Sequence, residues 1–213
     1  MTYTVKEMYY TLQGEGAQTG RPSVFLRFAG CNLWSGRERD RVRAVCKFCD
    51  TEFVGTDGPG GGKFADAAEL AAAVDAHWPK SAGGQPWVVC TGGEPLLQLD
   101  DAAIEALHNR GFAVAVETNG TLRAPAGLDW ICVSPKAGAQ VVQSSGNELK
   151  LVYPQVESAA QPECFSEMQF AHHFLQPLDG ANTEANTQAA IQYCLEHPQW
   201  RLSLQTHKIT GIS

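Results

Sequence analysis

The sequence lacks any apolar run of the roughly 18 residues that a membrane-spanning helix needs. Its first residues, Met1-Thr2-Tyr3-Thr4-Val5-Lys6-Glu7, carry no apolar stretch of the secretory type. Charge is sparse at 18%, and acidic groups exceed basic ones to give a formal net charge of −7. No overall positive field is available to hold a nucleic-acid backbone. The seven cysteines are an odd number, so they cannot all pair within the chain. The expectation is a cytoplasmic protein with free thiols, working without membrane or nucleic acid. No internal repeat and no linker-like segment interrupts the 213 residues, which are read as one domain, 1–213.

Short apolar runs alternate with helical patterns. Ser23–Ala29 alternates as a strand up to Gly30. Ala65–Trp78 repeats Leu70, Val74 and Trp78 every four residues before Pro79 stops it. Trp87–Cys90 reads as a buried strand. A helix then starts at the capping Asp100 and closes at Gly111. Further strands are expected at Phe112–Val116, Trp130–Val133, Leu149–Val152, His173–Leu175 and Leu202–Leu204, with helices over Val156–Phe170 and Thr183–His197. Strand–helix alternation implies right-handed crossovers and a parallel sheet. Six or seven strands are too few for a closed eight-fold barrel, so an open, partial parallel β/α barrel is expected. Its active site would lie at the carboxyl ends of the strands.

Polar clusters fall at those ends. Cys46-Lys47-Phe48-Cys49, with Cys31 upstream, offers three thiolates. That is one short of a closed zinc site and one short of an all-cysteine iron–sulfur site. His77 and His207 are candidate fourth ligands for zinc; a thioredoxin-like exchange motif is disfavoured by the long third spacing. Cys90, Cys132, Cys164 and Cys194 lie among apolar residues and read as buried small hydrophobes. Gly92-Gly93-Glu94-Pro95 would let a ligand approach the backbone, with Glu94 holding an amine or capping the next helix. Arg27 is either an outward-facing strand residue or an anion clamp. The Asn32–Val45 insert, rich in arginine, reads as a solvated loop or short helix. Gly55–Lys63 lacks the glycine and hydroxyl positions of a phosphate-binding loop and reads as a flexible connection.

The cysteine triad, Phe48 before its last member, and Gly92-Gly93-Glu94-Pro95 resemble radical S-adenosylmethionine enzymes over nearly the whole chain. Fourteen residues stand between Cys31 and Cys46, where the commonest superfamily spacing has three. That expanded loop is similar to the 7-carboxy-7-deazaguanine synthase family, lyases of queuosine and deazapurine biosynthesis. So are Leu12-Gln13-Gly14-Glu15-Gly16, Glu117-Thr118-Asn119-Gly120, Ser134-Pro135-Lys136 and His207-Lys208. The resemblance implies a [4Fe–4S] cluster on Cys31, Cys46 and Cys49, whose fourth iron takes the methionine moiety of S-adenosylmethionine. It implies hydrogen abstraction from C6 of 6-carboxy-5,6,7,8-tetrahydropterin, ring contraction with loss of ammonia, and return of the hydrogen to a cofactor used catalytically.

Magnesium would sit at Thr51, a hydroxyl suited to a hard cation. Phe48, Asp50, Gly92, Gly93, Glu94 and Glu117 would line the cofactor, together with Asn119, Ser134, Pro135, Lys136, Phe174 and Gln176. Leu12, Gln13, Gly14, Glu15, Arg27, Thr91, His207 and the terminal Ser213 would meet the substrate. No catalytic side chain is implied beyond the cluster and the cofactor radical. An external one-electron reductant (flavodoxin-like or ferredoxin-like) and a homodimer are implied as well. Two rivals stand beside this reading. One is a radical activating enzyme that takes hydrogen from a partner protein and needs no magnesium; the other is a zinc-ribbon-like module with no chemistry.

Overall fold

A computed structural model describes residues 2–212, so the contact expected of Ser213 lies outside the described residues. Nine strands among them form one sheet: β1 (Tyr3–Leu12), β2 (Pro22–Phe28), β3 (Gly62–Phe64), β4 (Trp87–Gly92), β5 (Ala113–Thr118), β6 (Trp130–Val133), β7 (Ser145–Tyr153), β8 (Gln169–Pro177) and β9 (Trp200–Leu202). Their order is β3-β1-β2-β4-β5-β6-β7-β8-β9. From β2 to β9 every pairing is parallel, which makes seven parallel strands, as the alternation predicts. The antiparallel pair β1 and β3 extends the sheet at one edge. Helices α1 (Ala67–His77), α2 (Asp101–His108) and α3 (Thr183–Glu196) cover the outside, and α4 (Thr206–Thr210) follows β9.

Alternation along each strand sorts side chains to two faces. Leu26, Phe28, Val88, Cys90, Val114 and Val116 face outward into a core shared with Leu70 and Val74 of α1 and Ile104 and Leu107 of α2. Leu149, Leu151 and Leu175 pack with Ala190 of α3 and Trp200. On the inner face, Trp87, Val89 and Ala115 meet Phe25 and Trp130 to floor the interior. In a flat sheet β1 and β9 would stand about 34 Å apart, seven strand spacings. Instead Gly16, just past β1, donates its N–H to Ser203 just past β9, at 2.9 Å. The sheet therefore curls into the expected partial barrel.

Local signals place the helices. Asp66 caps α1 and Asp100 caps α2, each carboxylate accepting the N–H three residues on, from Glu69 and Ala103. Gly111, at φ +84°, turns the chain out of α2.

Four expectations are corrected. No α-helix covers Val156–Phe170; two short 3-10 helices, Ser158–Ala160 and Pro162–Phe165, stand there, because Pro162 lacks an amide hydrogen and biases Gln161 out of the helical region. The last strand is Trp200–Leu202. Gly55–Lys63 is pinned to β1: Gly58 donates to the Lys6 carbonyl and Pro59 accepts from Met8, and the segment ends in β3. Any Cβ at Gly61 would come within 2.2 Å of the Lys6 carbonyl oxygen. Finally, Cys90 and Cys132 are buried, but Cys164 is exposed and Cys194 only half-buried.

Candidate active site

The carboxyl ends of the parallel strands, with the loop that follows antiparallel β1, surround a cavity of about 720 Å³. Most residues expected at a site line it. From β1 and its following loop come Leu12, Gln13, Gly14 and Glu15; from β2, Arg27; from β4, Thr91, Gly92 and Gly93. Glu117 and Asn119 follow from β5, Ser134 and Lys136 from the end of β6, Gln176 from β8 and His207 from α4. The cysteine loop contributes Cys46, Phe48, Cys49, Asp50 and Thr51. Glu94, Pro135 and Phe174 are buried behind the wall and do not line the cavity.

Cys31 stands beside the lining. A Cβ at Gly93 would lie 2.6 Å from the Cys31 Cβ and 2.3 Å from the Gly30 carbonyl oxygen, so only glycine lets the two loops close together. Interaction between the neighbouring Cys46 and Cys49 thiols, added to burial, drives Cys46 up, and against burial it draws Cys49 down to about 6. All three thiols are free of disulfides. Among the described residues no three metal-binding side chains converge on one point as a single ion requires. A cluster that gives each cysteine its own iron needs no such convergence, and three gathered thiols fit one. His77 is no fourth ligand: it lies on α1, away from the cavity that the cysteine loop lines, with its Nδ1 on the Ala73 carbonyl. The Thr51 side chain faces the cavity, and its hydroxyl makes no hydrogen bond among the described residues.

Glu94 does cap the next turn. Its carboxylate accepts from Leu96 N at 3.0 Å, Thr118 Oγ1 at 2.7 Å and Asn119 N at 2.8 Å while fully buried. It thereby ties the Gly-Gly turn to the end of β5; burial raises its pKa in spite of those donors. Asn119 in turn donates to Asn32 beside Cys31, at 3.0 Å. Lys136 is half-buried, and the loss of solvent lowers its pKa; its Nζ bonds the Ser134 carbonyl and hydroxyl, both at 2.7 Å.

The opposite wall is built around Lys150, a residue sequence reasoning did not single out. Its Nζ meets Glu15 at 2.5 Å and Glu117 at 3.5 Å. Burial alone would raise the Glu15 carboxyl, but the Lys150 charge and hydrogen bond outweigh it and hold Glu15 at about 2. Gln13 donates to Glu117 at 2.9 Å and accepts from Glu15 N, while Gln205 donates to Glu15 at 3.0 Å. The Gln13–Glu15 loop therefore presents fixed amide and carboxylate edges to the cavity. Thr206 donates twice to the Gly14 carbonyl and sets His207 over Gly14, where a Cβ would come within 2.3 Å of Nδ1. Lys208 bridges Asp50 at 2.7 Å and Asp179 at 2.6 Å, fastening α4 to the cysteine loop. Arg27 is not an outward-facing strand residue: its Nε bonds Glu7 at 2.7 Å, and it lines the cavity.

No family model matches the chain. The 7-carboxy-7-deazaguanine synthase of Caulobacter vibrioides is 66% identical over 212 residues, covering all of both chains. That of Bordetella pertussis is 64% identical with the same coverage, and that of Nitratidesulfovibrio vulgaris 55% over 217 residues. Among solved structures, the crystal structure of QueE from Escherichia coli matches with a TM-score of 0.72 at 27% identity, over 96% of this chain and 94% of that one.

Proposed function

The chain belongs to the 7-carboxy-7-deazaguanine synthase family, and we propose in full that it turns 6-carboxy-5,6,7,8-tetrahydropterin into 7-carboxy-7-deazaguanine and ammonia. It is a radical S-adenosylmethionine lyase whose cofactors are a [4Fe–4S] cluster, S-adenosylmethionine and magnesium. The cluster and S-adenosylmethionine supply, when bound, the radical that abstracts and returns hydrogen. The observation that carries the reading is full-length identity to synthases joined to one cavity that gathers the thiols and the Gln13–Glu15 loop. Full-length similarity to synthases leaves the activating-enzyme and zinc-module rivals without support.

Within this proposal Cys31, Cys46 and Cys49 ligate the cluster and the Thr51 hydroxyl ligates magnesium. Gly92 and Gly93 leave room for the methionine moiety, and Phe48, Ser134, Lys136, Asn119 and Gln176 line its path. Fixed donors and acceptors on Gln13, Glu15 and Glu117 read the pterin edge, held by Lys150. Arg27, Thr91 and His207 face the substrate carboxylate, so the ring is oriented before any bond breaks. An external one-electron reductant, a homodimer, a single domain over 1–213 and a cytoplasmic site of action belong to the same proposal. The single continuous sheet supports the one-domain reading, and no helix among the described residues is long and apolar enough to cross a membrane.

The test is anaerobic turnover of reconstituted protein with the tetrahydropterin, S-adenosylmethionine, dithionite and magnesium, followed by mass spectrometry. Many products per cofactor, falling on magnesium removal, are expected. Deoxyadenosine without deazaguanine product would overturn the substrate assignment; a protein that takes up no iron would overturn the cofactor assignment.

A further inference from the structure

Strand β7 carries a second buried charge that the site described above does not use. Glu148 stands on the inner face two residues before Lys150, hence one layer deeper in the barrel. It is 3% exposed and does not line the main cavity, so it is out of reach of a substrate held there. Together with Gln13, Glu15 and Glu117 it borders a second cavity of about 10 Å³, room for one water at most. Glu148 therefore lies directly behind the groups that would read the pterin edge.

Its carboxylate holds backbone. Oε2 accepts the Ala17 N–H at 3.0 Å, and Oε1 accepts from the Cys132 thiol at 3.5 Å. Gly16 lies so close that a Cβ there would overlap Oε1, at a φ of +65° that already favours glycine. β7 thus grips the loop at two successive inner positions, Lys150 by the Glu15 side chain and Glu148 by the Ala17 backbone. A carboxylate at this depth carries a desolvation cost. What it supplies that an apolar side chain of the same size would not is an acceptor for Ala17. That N–H opens the 3-10 turn Gly16–Gln18, where a helical turn offers its first donors no partner.

We propose that Glu148 is a positioning residue for substrate recognition: by holding Gly16 and Ala17 on β7 it sets where the Gln13 amide and the Glu15 carboxylate meet the pterin ring. The inference rests on the substrate reading above. Ser203 takes the Gly16 N–H from the β9 side at 2.9 Å and Glu148 takes the Ala17 N–H from the β7 side, so the backbone just after Glu15 is fixed from two directions. Without Glu148 one anchor is left, and Glu15 gains freedom to swing about it. The cofactor side has its own supports: the Gly92–Gly93 turn is tied through Glu94 to Gly30 and to the end of β5. Loss of Glu148 therefore acts on the pterin and spares S-adenosylmethionine.

The experiment measures binding without turnover, on reconstituted enzyme with magnesium and no reductant. Anaerobic calorimetric titration with S-adenosylmethionine is followed by titration of the loaded enzyme with 6-carboxy-5,6,7,8-tetrahydropterin. Glu148→Ala should weaken the tetrahydropterin at least about ten-fold, the scale of a small misplacement of orienting groups, and leave the affinity for S-adenosylmethionine unchanged. Glu148→Gln keeps a carbonyl oxygen for the Ala17 N–H and should bind the tetrahydropterin close to wild type. Gly16→Ala removes no buried group but pushes the loop off Glu148, and should weaken the tetrahydropterin with the same selectivity; its result stands even where Glu148→Ala does not fold. Wild-type tetrahydropterin affinity in Glu148→Ala or in Gly16→Ala, an equal loss for both ligands, or a Glu148→Gln variant as weak as Glu148→Ala would each overturn the positioning assignment. A wild-type enzyme that binds S-adenosylmethionine but not the tetrahydropterin would overturn the proposed function, and the positioning role with it.

Discussion

Replacing Lys150 by methionine removes a cation whose side chain is 5% exposed and leaves the Glu15 and Glu117 carboxylates facing each other. Two routes give the magnitude. Holding Glu15 at about 2 instead of 4.5 corresponds to about 3 kcal/mol of stability at neutral pH. Breaking a buried ion pair by deleting one partner typically costs about 3–5 kcal/mol. For a chain of this size that is a fall in Tm on the order of 10 °C. The pH dependence distinguishes this cause from lost packing. In the wild type the Glu15 pKa is depressed, so its contribution is complete above about 4.5 and is lost as pH falls towards 2. In the variant only the weaker Gln205 hydrogen bond and His207 oppose burial, so the folded pKa rises above the unfolded one, and protonation stabilises the fold as pH falls. The gap in Tm between wild type and variant should therefore be widest at pH 7.5 and narrow by pH 5.5, measured by calorimetry on the metal-free protein. Adding Glu15→Gln to Lys150→Met should recover part of the loss. A variant within 2 °C of wild type at pH 7.5 (roughly the resolution of a 1 kcal/mol change), or a constant gap across the pH range, would refute the electrostatic account.

Glu94→Ala should cost about 3 kcal/mol or more, because it leaves the Leu96, Thr118 and Asn119 donors without their acceptor in a buried site; urea unfolding of metal-free protein checks it. Gly93→Ala drives a methyl group into Gly30 and Cys31, and should lower iron content after reconstitution, read by iron assay. Thr51→Ala should raise the magnesium concentration needed for half-maximal turnover while leaving iron content unchanged, as a magnesium titration would show. Asp100→Ala removes both the α2 cap on Ala103 and the acceptor of the Tyr3 hydroxyl at 2.7 Å, and should cost about 1–2 kcal/mol in thermal unfolding.

The outward face of the sheet was legible because it obeys period-two alternation against helices with period-four stripes: Val88 and Cys90 against Ile104 and Leu107, Leu149 and Leu151 against Ala190. The strand-end clusters were legible because parallel topology assigns them to one rim. Less could be read at the edges. β3 is three residues long and its glycine and lysine carry no strand preference, so its pairing with Tyr3–Val5 is decided by tertiary contact. Val156–Phe170 looked helical by apolar spacing, yet Pro162 divides it. α4 is one turn long and is fixed by Thr206 bonding Gly14 from nearly two hundred residues away, which no local pattern encodes.

Lys150 shows where pattern reading stops. In Leu149-Lys150-Leu151 an isolated lysine between leucines reads as the water-facing residue of a half-buried strand, and for a flat sheet with one wet face that inference holds. Curling the sheet changes what the second face means. The inner positions of β2, β5 and β7 are Arg27, Glu117 and Lys150, and the chain supplies the matching charges Glu7 and Glu15 from β1 and its loop. Buried charge at these positions carries a desolvation cost that only specific pairing offsets. A polar residue at an inner position of several strands of one sheet is thus the sequence signature of a barrel interior kept open for a ligand. The apolar floor of Phe25, Trp87, Val89, Ala115 and Trp130 marks the depth at which that interior closes.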